Sequence, residues 1–195
     1  MTEPTGPSAR LDDIAQAAAR LFLDKGYDAA SMADLAAATG LGKSSLYHHL
    51  SSKDQLLGHI CDGVITELRR GLDALTTHPG GPGDRLAAAI EHVIRTALGD
   101  VAAAHLILTV KPTSEMARRV IDERNQVERS RAPLVADAQA GGAARSDIEP
   151  HLLTRLVMGT INGLVAWYRP ESSEIPAEAV QSSVHALMLA ALAPT

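Results

Sequence analysis

Apolar residues recur along most of the chain at three- and four-residue steps, the pattern of one-sided helices. The first run, Leu11, Ile14, Ala15, Ala18, Leu21 and Phe22, predicts a helix from Arg10 to Lys25. Gly26 closes it, with the lysine at the negative helix end. Ser31-Met-Ala-Asp34 reads as a capping box opening a second helix that ends near Ala38. After the turn Thr39-Gly40-Leu41, a third helix is predicted from Gly42 to His49. Ser52-Lys-Asp-Gln55 then caps a fourth, which runs to about Leu75.

Downstream, Thr77–Gly83 is a Pro/Gly-punctuated loop. Asp84 is predicted to cap a helix over 85–98, and a short apolar helix lies between Gly99-Asp100 and Lys111-Pro112. Ser114 opens a long charged helix to about Ala140, broken near Pro133. Pro150 and Pro176 open the last two, reaching about Tyr168 and Leu192. No stretch alternates with a period of two, and no fixed repeat is visible. The pattern predicts an all-α chain of about nine helices. Residues 1–8, rich in Pro, Gly, Ser and Thr, are expected to be disordered.

Charge sharpens this picture at one place. The chain carries a formal net charge of −5, which argues against a general basic coat for nucleic acid. Yet residues 39–53, TGLGKSSLYHHLSSK, hold Lys43 and Lys53 and no acid. They form a small positive island. Just before it, Ala36 and Gly40 stand with Leu46 in the spacing A-x3-G-x5-L. Ala36 lets two helices cross closely, and Gly40 supplies a turn residue able to take positive φ. Leu35, Leu41, Leu46 and Leu50 face a shared core. This is a helix-turn-helix, whose second helix enters the DNA major groove. A metal site at His48-His49 is disfavoured, because neighbours on a helix point about 100° apart and no third ligand is near. Ser44-Ser45 with a nearby histidine suggests no nucleophile, for the hydroxyls lie on an exposed helix.

Residues 10–57 resemble the amino-terminal domain of the TetR family of bacterial transcriptional regulators. The resemblance lies in Leu21-Phe22-Leu-Asp-Lys-Gly26-Tyr27, Ser31-Met-Ala-Asp-Leu-Ala36, Gly40-Leu-Gly-Lys-Ser-Ser-Leu-Tyr47-His48-His49-Leu50 and Ser52-Lys53-Asp-Gln-Leu-Leu57. Leu50 stands where the family commonly has Phe. The resemblance implies a DNA-binding domain over 9–51 and an effector-binding and dimerisation domain over 52–195. It implies a ligand-responsive repressor, not an enzyme, that binds a palindromic double-stranded operator as a homodimer. Ser31, Gly42, Lys43, Ser44, Tyr47, His48, His49 and Lys53 are the expected DNA contacts. Most of them position the protein on phosphates, and few specify sequence.

The remainder is expected to dimerise through its last two helices and to hold an effector. Leu156, Gly159 and Gly163, with Val180, Val184, Leu187 and Met188, are the expected interface. His92, Arg95, His105, Arg119, Asn125, Met158, Asn162 and Trp167 are the candidate effector contacts. Ile121-Asp-Glu-Arg-Asn125 and Trp167-Tyr-Arg-Pro170 resemble segments of regulators linked to acyl-CoA catabolism. Met158, Asn162 and Ala166, however, offer no positive charge to a CoA phosphate. An acyl-CoA and a neutral apolar compound both stay open. The competing reading is a helical enzyme or carrier with a vestigial head, for which no convergent acid, base or nucleophile is found.

No cofactor is called for. The lone cysteine, Cys61, excludes an internal disulfide and suits a reducing cytoplasm. MTEPTGPSAR lacks the apolar run of a secretory signal, and no apolar stretch is long enough for a membrane span.

Overall fold

A computed structural model describes the backbone of residues 7–194 and the side chains of residues 11–194. Residues 1–6, most of the segment expected to be disordered, lie outside the described residues. Ten α-helices follow in order: α1 (Pro7–Lys25), α2 (Met32–Thr39), α3 (Lys43–His49), α4 (Lys53–Ala74), α5 (Pro82–Gly99), α6 (Val101–Thr109), α7 (Glu115–Arg129), α8 (Ala132–Ala140), α9 (Pro150–Trp167) and α10 (Ala177–Leu192). No strand occurs among the described residues.

Local chemistry sets most of the boundaries. The Ser31 hydroxyl accepts from the Asp34 amide at 3.2 Å, and the Asp34 carboxylate accepts from the Ser31 amide at 2.8 Å. That closes the predicted capping box. Gly40 takes φ +66°, the left-handed value that ends α2. The charged segment from Ser114 divides into α7 and α8 at Ser130-Arg131, and Pro133 falls in the first turn of α8, where no amide donor is needed. Two caps differ from expectation. Asp84 does not precede α5; it lies in the first turn and accepts from the Gly81 amide at 2.9 Å. Gln55 closes back on the Ser51 amide and hydroxyl, one residue earlier than the predicted box.

The interior has two main parts. One core runs from α1–α4 into α6 and α7, with Leu35, Leu46, Leu57, Ile65, Leu106 and Val120 almost wholly buried. Each such side chain contributes about 1.5–3 kcal/mol. A second core joins α5, α8, α9 and α10 through Ile94, Val135, Ile161 and Met188. Leu68 of α4 packs against both. At the α4–α5 crossing, a Cβ on Gly71 would stand 2.0 Å from the His92 ring, so only glycine fits. On the opposite flank α4 is tied to α7 by ion pairs, Arg119–Asp62 at 3.1 Å and Arg69–Glu123 at 3.3 Å. Among the described residues, no helix is long and apolar enough to cross a membrane.

Candidate functional site

The small head orients α3. Leu46 and Leu50 are buried against α1 and α2, together with Leu35 and Ala36. The opposite side of α3 is thereby turned outward, exposing Lys43, Ser44, His48 and Tyr47, with His49 half-buried. Gly42, the N-cap residue, has φ −64°, and a Cβ there would meet nothing within 4 Å. Neither the turn nor packing within the chain asks for glycine at this position. Ser31 is exposed at the start of α2, its hydroxyl donating to Asp34 at 2.6 Å. Lys25 grips the same carboxylate at 2.7 Å and, with Ser31, holds its proton affinity far below the usual carboxylate range. The acid beside this face is therefore neutralised by its own neighbours.

Lys53 does not follow expectation. Its ammonium turns into the head and donates to the carbonyls of Tyr27 at 2.7 Å and Ala30 at 2.9 Å. It also lies 4.4 Å from the centre of the Tyr27 ring. The Tyr27 hydroxyl in turn donates to Asp54 at 2.5 Å, and burial and that carboxylate push its proton affinity well up. Lys53 thus ties α4 to the loop after α1 and is not extended as a phosphate clamp.

A second site lies in the larger half. Helices α4, α5, α6, α7 and α9 enclose an apolar chamber of about 50 Å³, walled by Val64, Val93, Ile107, Val127, Met158 and Ile161. Arg124, Glu128, Arg131 and Asn162 bring polar groups to it. Beyond Arg131 a smaller void of about 20 Å³ continues between α5, α8 and α9. Outside the chamber, a cleft of about 510 Å³ opens between α7 and α9.

The candidate effector residues scatter. Met158 and Asn162 line the chamber, and Asn125 lines the outer cleft. His105 lines an adjoining cleft that shares Leu108, Arg124, Glu128 and Asn162 with the chamber, and burial lowers its imidazole's proton affinity. Arg95 borders a cleft between α4 and α5. His92 is buried away from these spaces, its Nε2 2.9 Å from the Glu67 carbonyl and its Nδ1 3.1 Å from Arg95. Arg119 is occupied on the α4–α7 flank, and Trp167 is 61% exposed on the outer side of α9. These last three do not meet the chamber.

Arg124 and Arg131 escaped sequence reasoning, although a signal existed. Ala117, Val120, Arg124, Val127 and Arg131 follow three- and four-residue steps, so two arginines occupy places in a buried stripe. Arg131 is 7% exposed and donates to the Val127 carbonyl at 2.8 Å; burial pulls its pKa down to about 10. Cys61 is fully buried, and burial pushes its thiol up to about 12, far from the thiolate a redox sensor needs.

The outer face of α9 is apolar. Leu152, Leu156 and Trp167 are more than half exposed, with Gly159 and Gly163 between them. On α10, Leu187 is 59% exposed. Val180 and Met188, expected at a dimer interface, are instead 5% exposed within this chain's own core, and Val184 is half-buried beside them. They point inward because α10 packs that side chiefly on α5.

The head is a helix-turn-helix presenting an acid-free helix face, mounted on a larger helical body with an internal chamber. That is the build of a DNA-binding transcriptional regulator. A model of the family described as "Bacterial regulatory proteins, tetR family" matches residues 14–60, and one for the "Tetracyclin repressor-like, C-terminal domain" matches residues 79–192. The chain belongs to the TetR family. It is 27% identical to the HTH-type transcriptional repressor KstR2 of Mycolicibacterium smegmatis, over 95% of this chain and 92% of that protein. The crystal structure of a TetR regulator from Streptomyces coelicolor A3 superposes with a TM-score of 0.79 at 31% identity, covering 92% of this chain and 90% of that one. AibR, solved with isovaleryl coenzyme A and operator DNA, shares the fold at a TM-score of 0.75 and 24% identity, covering 91% and 97%.

Proposed function

We propose that the protein is a cytoplasmic repressor that binds a palindromic operator as a homodimer and leaves it when a small molecule enters the chamber. The observation that carries this reading is the outward face of α3, with Lys43, Ser44, Tyr47 and His48 exposed and Leu46 holding the helix in place. Ser31, Gly42 and His49 flank that face. Gly42 suits close approach of the backbone to a phosphate, since nothing inside the chain explains it. Residues 9–51 form the DNA-binding part and 52–195 the effector and dimer part. The exposed stripe of Leu156, Gly159 and Gly163, with Leu187, is the surface offered to a second copy. A dimer is needed because one short helix reads few bases, whereas two set about 34–36 Å apart read a palindrome.

The effector is an acyl-CoA or a neutral apolar compound. AibR's complex with isovaleryl coenzyme A supports an acyl-CoA effector, and the likeness to the repressor KstR2 supports repression. Val64, Ile107 and Val127 line the chamber and also belong to the core that holds the head. A ligand that displaces them favours another placement of α4 and α6 under the head, and release follows from its unequal affinity for the two states.

The test starts from an operator selected out of random duplexes. Lys43→Ala should weaken binding to all sequences and reduce the salt dependence by about one phosphate contact, with melting temperature unchanged. Tyr47→Ala should weaken binding with the fold equally intact. Unaltered affinity in both variants would overturn the assigned DNA face.

A further inference from the structure

We propose that the cleft between α7 and α9 is an anion subsite, taking the phosphate-bearing head of an amphiphilic effector whose short apolar tail enters the chamber past Arg124. The inference rests on the effector-release reading and names the class of effector.

Three guanidiniums, from Arg124, Arg129 and Arg155, border the cleft together with His151, against a single carboxylate, Glu128. Among the described residues, the arginines that form ion pairs are Arg69, Arg70, Arg119 and Arg145. None of the cleft arginines has a carboxylate partner within that reach, but Arg124 already donates to the Ile107 carbonyl at 3.2 Å and to Asn125 Oδ1 at 3.0 Å, so the charges available to a ligand are those of Arg129 and Arg155. Arginine suits phosphate because its planar fork donates two parallel hydrogen bonds. Helix α8 begins at this cleft without a side-chain cap, adding its positive dipole end.

Surface arginines alone would be a solvated patch. What makes the cleft part of a site is its continuity with the interior. Arg124 and Glu128 wall both the cleft and the apolar chamber, and Thr154 walls both the cleft and the inner void. Behind them stands buried Arg131, donating to a backbone carbonyl and holding a positive charge inside an apolar wall. An uncharged apolar ligand gains nothing from the arginines of this cleft, whereas a phosphate-bearing one gains at Arg129 and Arg155. The chamber sets the other end: about 50 Å³ holds roughly four water-sized groups, the bulk of a short acyl chain. A fused-ring body would need the chamber to expand. The positive charge missing around Met158, Asn162 and Ala166 is supplied from α7 and from Arg155, one turn earlier on α9.

Calorimetric titration of the full-length protein tests this with four probes: butyryl-coenzyme A, coenzyme A, the butyryl thioester of N-acetylcysteamine, and inorganic phosphate. Operator release is measured alongside. Butyryl-coenzyme A should bind most tightly, and the thioester lacking phosphates at least about a hundredfold more weakly. Combined Arg129→Ala and Arg155→Ala should weaken butyryl-coenzyme A about tenfold or more. The same pair should leave the truncated thioester, the melting temperature and ligand-free operator affinity unchanged. Equal binding of the two thioesters, or undiminished binding by the double variant, would overturn the anion subsite. Coenzyme A or phosphate binding as tightly as the ester would overturn the assignment of the tail to the chamber. Tight binding of butyryl-coenzyme A with no loss of operator affinity would leave the subsite standing and sink the effector-release reading instead.

Discussion

The head and the chamber are built by different rules. In the head, the element boundaries are set within a few residues: Ser31 and Asp34 start α2, Gly40 turns the chain, and Leu46 and Leu50 seat α3. The chamber is made by residues as distant as Val64, Ile107, Val127 and Ile161, brought together from five helices. No short stretch encodes it. A site written locally tolerates little change along one segment. A site written globally can change its lining residue by residue while the helices keep their packing. That contrast accounts for why family models match both parts while only the head carries a motif that names its ligand.

The largest expected effect exposes the contrast between neighbours in α3. Leu46 is wholly buried and Tyr47 is 56% exposed. Leu46→Ala should cost about 2–5 kcal/mol and abolish operator binding by loosening the head. Tyr47→Ala, one residue on, should shift stability by no more than about 0.5 kcal/mol. Thermal denaturation followed by circular dichroism separates the two. Equal melting temperatures would mean that α3 is not seated as described.

Next in size is a change in the body. Gly71→Ala places a methyl group where the His92 ring lies. The α4–α5 crossing must then open, at a cost of about 1–3 kcal/mol, readable as a lower urea midpoint. A midpoint like that of the parent would show that the crossing is loose enough to absorb a methyl group.

The sequence made the head legible because its signals are short: a capping box, a glycine at a positive-φ turn and a fixed A-x3-G-x5-L spacing. The helices of the body were equally legible, since their caps and prolines are local too. The lining of the chamber was legible only in part, through Met158 and Asn162. Polar residues such as His92, Arg119 and Trp167 stand out in an apolar sequence, yet His92 bonds a backbone carbonyl of α4, Arg119 pairs with Asp62, and Trp167 faces outward. Periodicity says which residues share a side of a helix, not which side meets a void. On α10 the expected dimer residues fall on two sides for the same reason: Val180 and Met188 are buried in the chain's own core, whereas Leu187 is exposed. Arg124 and Arg131 are the reverse case, charged residues whose three- and four-residue spacing sets them on the buried stripe of a charged segment.

The smallest predicted effect is the one that most sharpens the boundary between fold and function in the head. Lys43 and Lys53 both belong to the positive island, but only Lys43 is exposed. Lys53 is spent on the Tyr27 and Ala30 carbonyls and on the Tyr27 ring. Lys53→Met keeps the apolar stem and removes the ammonium, so the two carbonyls lose their donor while packing persists. At a half-exposed position, where water can replace the lost donor, the cost should be about 1 kcal/mol. The salt dependence of operator binding should stay at the parental value, because no phosphate contact is lost. Lys43→Ala should do the opposite, leaving stability alone and lowering the salt slope by about one contact. If Lys53→Met lowers the slope as well, the ammonium swings out of its carbonyl cradle on DNA, and the positive island acts as a whole.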